Sequence, residues 1–75
     1  MAEQEEKVSA RQIEIKNDIK THVLEIKNLS ESLISLMDKE NFKEADLDNA
    51  FDITDAIQEQ SQEITASLFD LRDNL

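Results

Sequence analysis

Few residues in this sequence could do chemistry, and the most conspicuous is the single histidine, His22. The chain has no cysteine, which excludes disulfides and thiolate metal sites. It also has no glycine, on which the loops that cradle phosphate groups depend. No nucleophile or carboxylate is spaced so that His22 would activate it. We therefore expect a protein that is not an enzyme and that has no catalytic residue, metal site or cofactor.

His22 falls at a position where the apolar pattern calls for a buried residue. It could act as a pH-sensitive switch or a metal ligand, but an interior polar layer is the simpler interpretation. In that layer the imidazole would bond to Ser61, or to the nearby Gln58 or Gln62, and would fix the register of the helices. We predict a buried polar layer of His22 and Ser61.

Acidic residues dominate the charge of the chain. There are 18 acids against 8 Lys and Arg, a formal net charge of −10. This balance argues against direct binding of nucleic acid or anionic membrane and favours a partner with a basic surface. Six acids step by three or four residues and are predicted to form an outer acidic face: Glu44, Asp48, Asp52, Asp55, Glu59 and Glu63.

The elements that would carry these residues are helices. Gly and Pro are both absent, and the abundant Glu, Lys, Gln, Leu, Ile and Ala favour helix. Apolar residues recur in steps of four and three, which is a heptad pattern. One set is Val8, Ile15, His22, Leu29 and Leu36 with Gln12, Ile19, Ile26 and Leu33; the second is Leu47, Thr54, Ser61, Leu68 and Leu75 with Ala50, Ile57, Ile64 and Leu71.

A polar stretch, 38–41, separates the two halves. Asn41 followed by Glu44 has the spacing of a helix N-terminal capping box. The sequence therefore predicts an all-α protein, a long antiparallel two-helix hairpin with helices at about 4–38 and 42–73 in a single domain, 1–75. The alternative is a continuous coiled-coil rod, because the heptad phase continues through the polar stretch.

Some apolar residues lie beside the heptad seam, where a lone hairpin would leave them exposed. They are predicted to form an oligomer or partner interface: Ile13, Leu24, Ile34, Ile53 and Phe69. We expect two hairpins to pair into a four-helix bundle, so that the first partner of the chain is a second copy of itself.

These features predict a regulatory, adaptor or chaperone-like module that binds proteins. It would act as a homodimer or higher oligomer and offer an acidic outer face to a second protein with a basic or apolar surface. The alternative function is an acidic nucleic-acid mimic that inhibits a DNA- or RNA-binding protein. No apolar run reaches the roughly 18 residues that span a bilayer. The acidic first residues and the lack of cysteine favour the cytoplasm.

Overall fold

The computed structural model describes the backbone of residues 2–75 and the side chains of residues 10–75. The chain is an antiparallel hairpin of two helices, α1 (Ala2–Met37) and α2 (Glu44–Asp73), joined by residues 38–43. The hairpin measures 61 × 16 × 10 Å along its principal axes. The predicted hairpin is confirmed, with boundaries within two residues of those expected, and the continuous rod is not formed. Within the described residues, neither helix is long and apolar enough to cross a membrane.

Burial along α1 follows the predicted heptad pattern. The side chains that face α2 step by three and four residues: Gln12, Ile15, Ile19, His22, Ile26, Leu29, Leu33 and Leu36. Val8, which would continue this pattern, lies outside the described side chains. The sequence therefore assigned the inner side of α1 correctly.

Burial along α2 departs from the prediction in one of its two rows. Ala50, Ile57, Ile64 and Leu71 face α1 as expected. The second inward row is Asp46, Ile53, Gln60, Ser67 and Asn74, each one residue before the predicted Leu47, Thr54, Ser61, Leu68 and Leu75. Of the predicted row only Thr54 is half-buried, and the other four side chains are exposed. Helix α2 is thus rotated about its axis, so that a mainly polar row faces the seam and a leucine-containing row lies outside it.

The turn is held by Asp46 and not by the predicted Asn41–Glu44 capping box. The Lys43 amide donates to Asp46 Oδ2 at 2.9 Å, and the Lys39 ammonium donates to Asp46 Oδ1 at 2.8 Å. Because the Lys43 side chain cannot accept a hydrogen bond, only the carboxylate half of a capping box is present. No described residue has a positive φ, so this turn does not require glycine.

The same contacts set the charge state of Asp46. The hydrogen bond from Lys39, followed by that from the Lys43 amide, holds the pKa of Asp46 below its usual value. A carboxylate in the first turn also interacts favourably with the positive end of the helix dipole. Asp46 therefore fixes where α2 begins and ties that point to the end of α1.

The hairpin has a very small core of its own. Among the described residues only Ile15 and Ala50 are buried apolar residues, and no side chain is completely enclosed. The other apolar residues of the seam are half-buried, because two helices lie side by side with nothing covering either side of the pair. A chain of this size usually needs further burial to fold stably.

Candidate interaction surfaces

The hairpin exposes many large apolar side chains, and most of them lie on one side of it. The buried rows can be taken as heptad positions a and d. The exposed apolar residues of the two helices, and Leu75 just after α2, then fall at e, b or f. We call the e and b set the apolar face: Ile13, Val23, Ile34, Met37, Leu47, Phe51, Leu68 and Leu75. Leu24 and Phe69, at f, lie on its outer edge. The g and c positions of the described helices hold no large apolar residue.

Contacts between the helices show that the two apolar flanks lie on the same side of the hairpin. The Arg11 guanidinium donates to Asp70 at 2.8 Å, and both residues occupy g positions. The Ser67 hydroxyl donates to Asp18, another g residue, at 3.2 Å. Since the g rows meet across one side of an antiparallel pair, the e rows share the opposite side.

Charge is segregated between the same two sides. Among the described side chains, the e and b positions carry four bases, Lys16, Lys20, Lys27 and Arg72, and one acid, Glu44, at the first residue of α2. The g and c positions carry exposed acids that we call the acidic face: Glu14, Asp18, Glu25, Asp52, Glu59, Glu63, Asp70 and Asp73. An apolar face with few acids on a chain of net charge −10 is suited to burial against another surface.

The six predicted acidic residues are all exposed, but they do not share one face. Asp52, Glu59 and Glu63 belong to the acidic face, Asp48 and Asp55 lie at f, and Glu44 borders the apolar face. Their steps average more than the 3.6 residues of a helical turn, so the row drifts by about 100° around α2. The acidic face instead gains residues from α1 that the sequence did not assign to it.

The predicted polar layer forms around His22, with a different partner. His22 Nδ1 donates to Gln60 Oε1 at 2.6 Å, whereas Ser61 is exposed. His22 Nε2 lies 3.7 Å from the Asp18 carboxylate, which also accepts the hydrogen bond from Ser67. The change of partner follows from the rotation of α2, which brings residue 60 and not 61 to the seam. Polar groups from both helices are thereby linked, which fixes their relative height.

This polar layer does not have the geometry of a catalytic site. A serine nucleophile needs its hydroxyl hydrogen-bonded to the imidazole, but Ser67 donates to Asp18. The groove beside it, of about 450 Å³, is open and lined by Arg11, Glu14, Asn17, Thr21 and Asp70 among others. Among the described residues, no group of three or more His, Cys, Asp and Glu is placed to hold a metal ion.

The predicted interface residues do not all lie on the outer surface. Ile13 and Ile34 belong to the apolar face, and Leu24 and Phe69 to its edge, where the Arg72 guanidinium lies 4.8 Å from the centre of the Phe69 ring. Ile53 is half-buried in the seam against α1, which corrects its placement. Sequence reasoning missed Gln60, and it assigned Leu47 and Leu68 to the seam although they lie on the apolar face. Phe51 could have been placed on the apolar face from the sequence, because it directly follows the inward-facing Ala50.

The exposed area of the chain is large for its mass. The accessible surface is 5959 Å², whereas a compact folded chain of 8.6 kDa has about 4,700 Å². The excess, roughly 1,300 Å², is within the range that one copy buries in an obligate homodimer, about 1,000–2,500 Å². The excess reflects the elongated shape of a two-helix hairpin with nothing covering its sides.

The chain matches no family model, no curated protein and no solved structure. Only the hairpin's own surfaces therefore bear on its function.

Proposed function

We propose that this chain is a non-catalytic protein-interaction module that works as a homodimer. Two hairpins pack apolar face to apolar face into a four-helix bundle, and the acidic faces point outward to a second protein with a basic surface. The observation that carries the proposal is the contrast between the two sides of the hairpin. Among the side chains of residues 10–75, two apolar residues are buried in its interior, while eight large apolar residues lie on one side of its surface.

Physical chemistry favours the second copy as the occupant of the apolar face. Groups of exposed large apolar side chains on soluble proteins mark interaction sites. In a four-helix bundle, each helix buries its a and d residues together with a flanking apolar row. Both helices of this hairpin have such a flanking row, which is exposed in the single chain. Burial of the e rows would complete a core that the hairpin alone lacks.

Paired substitutions in one turn of α1 test self-association. Ile34→Asp places a carboxylate in the apolar face, and Ser35→Asp places the same charge one residue further on, in the acidic flank. Burying an unpaired charge is costly, so we expect Ile34→Asp to weaken dimerisation by at least about tenfold. Ser35→Asp should leave the mass unchanged in sedimentation equilibrium.

The wild type provides a second measurement that does not depend on the variants folding. A folded dimer that dissociates as it unfolds has a midpoint temperature that rises with protein concentration. A wild type that sediments as the 8.6 kDa monomer at micromolar concentration and unfolds cooperatively would refute the proposal.

The segregation of carboxylates favours one further candidate function, a nucleic-acid mimic. The six predicted acids from Glu44 to Glu63 extend about 28 Å along α2 while drifting around it, with neighbours about 5–6 Å apart. Duplex DNA carries one charge per about 1.7 Å, so the row is only about a third as dense. That difference places mimicry second to an adaptor role.

Competition separates the two functions of the acidic face. A partner of a mimic is a nucleic-acid-binding protein, and we expect DNA to displace it and about 0.5 M salt to release it. A partner held by apolar packing should survive both treatments. Pull-down with the wild type and with Glu59→Gln plus Glu63→Gln measures the carboxylate contribution in either case.

A further inference from the structure

The apolar face has a pattern along its length that bears on how a second copy would dock. Its apolar residues concentrate at the two ends, with Ile34 and Phe51 near the turn and Ile13 and Leu68 near the open end. Between these ends α1 presents Lys20 and Lys27, with Val23 between them. Over the same length α2 presents uncharged polar residues at e and b: Thr54, Gln58, Ser61 and Thr65. The two helices therefore offer different chemistry at the middle of the face.

Heights along the hairpin follow from its cross-contacts. Hydrogen bonds across the hairpin join His22 to Gln60, Asp18 to Ser67 and Lys39 to Asp46, so residues at one height have numbers that sum to about 84. Lys27 therefore lies within one helical turn of the height of Asp55, which occupies the f position of α2.

A two-fold dimer can pack these faces together in two ways. If the axis runs along the helices, both turns lie at the same end and α1 of each copy lies beside α2 of the other. If the axis runs across the helices, the turns lie at opposite ends and α1 lies beside α1 of the other copy.

The lysines distinguish the two arrangements. With α1 beside α1 in opposite directions, Lys20 of each copy lies near Lys27 of the other, which brings four ammonium groups together, and like charges in contact are unfavourable. With α1 beside α2, each Lys27 lies within one helical turn of the height of Asp55 in the second copy. The apolar ends match as well, since Ile34 then lies within one helical turn of Phe51 in the second copy.

We infer that the two copies dock with both turns at the same end of the bundle and with α1 of each copy against α2 of the other. This arrangement rests on the proposed self-association. It also places both Lys39–Asp46 ion pairs at one end of the bundle and both open ends at the other.

Spin labels measure the arrangement directly, because the chain has no cysteine and single sites can be introduced. Glu40→Cys places a label in the exposed turn, and Glu59→Cys places one on the acidic face about halfway along α2. With helices packed 8–10 Å apart, we expect a distance between the two Glu40→Cys labels of about 20–30 Å by pulsed dipolar spectroscopy. Turns at opposite ends of a 61 Å hairpin would give about 50–60 Å instead.

The second label separates the possible failures. Halfway along the helix, the Glu59→Cys label should give an intermolecular distance in both arrangements and so reports dimer formation itself. A long distance from Glu40→Cys together with a signal from Glu59→Cys would overturn the docking geometry and leave self-association intact. No dipolar signal from either label, with a monomer mass, would overturn both.

Discussion

Truncating Phe51 should weaken the dimer far more than it disturbs the hairpin. Phe51 is 61% exposed in the single chain, so it contributes little to packing between α1 and α2. A phenylalanine has about 150–250 Å² to bury, which leaves about 120 Å² for a second copy to cover. At about 25 cal/mol per Å², complete burial of that area contributes about 3 kcal/mol.

Alanine retains part of that contact, so Phe51→Ala should weaken the free energy of dimerisation by about 2 kcal/mol per copy. The two-fold axis repeats the loss in the second copy, which gives about 4 kcal/mol per dimer and raises the Kd about 10³-fold. Sedimentation equilibrium over a dilution series measures this change. Circular dichroism at high concentration checks that the variant keeps its helices.

A control variant on the same helix separates loss of contact from general damage. Glu59→Ala removes an exposed side chain from the acidic face and should change the Kd by no more than a few-fold, since exposed single charges contribute little. If Phe51→Ala also leaves the Kd within about threefold of the wild type, Phe51 lies outside the interface. The assignment of the apolar face would then be wrong.

Three further predictions concern the hairpin itself. The pKa of Asp46 is lower in the folded chain than its unfolded value of about 3.9. Its contribution to stability is therefore complete above that value and is lost as the pH falls through the folded pKa. The difference in unfolding free energy between wild type and Asp46→Asn should be full at pH 7 and shrink below about pH 4, and a difference that stays constant to pH 2 would contradict this contact. A double-mutant cycle of His22→Ala and Gln60→Ala should give a coupling of about 1 kcal/mol by denaturant unfolding, and a coupling near zero would mean that their hydrogen bond adds nothing. Ile15→Ala should lower the free energy of unfolding by about 2–4 kcal/mol, because the side chain is 4% exposed. Leu24→Ala, on the outer edge, should lower it by less than about 1 kcal/mol. Equal losses from the two substitutions would contradict the burial of Ile15.

The sequence alone determined the fold class, the two helices and the place where the chain turns back. A composition without Gly or Pro and a regular apolar spacing are local properties, and so is a polar stretch between two amphipathic segments. The inner side of α1 was equally accessible, because its seam rows are its most apolar ones. The capping contact was not, since the sequence predicted Asn41 with Glu44, whereas the Lys43 amide donates to Asp46. Only the tertiary structure shows that Lys39, just after α1, also donates to Asp46.

The rotation of α2 was decided by the tertiary structure. By apolar content, the row with Leu47 and Leu68 is the better inward row, yet Asp46 and Gln60 occupy the seam. Asp46 turns inward because it meets both Lys39 and the start of its own helix, and Gln60 because it meets His22. The apolar arc of α2 is wider than one neighbouring helix can cover, so sequence spacing cannot say which part of the arc α1 takes. Contacts across the hairpin select the polar edge of that arc and leave the leucines exposed.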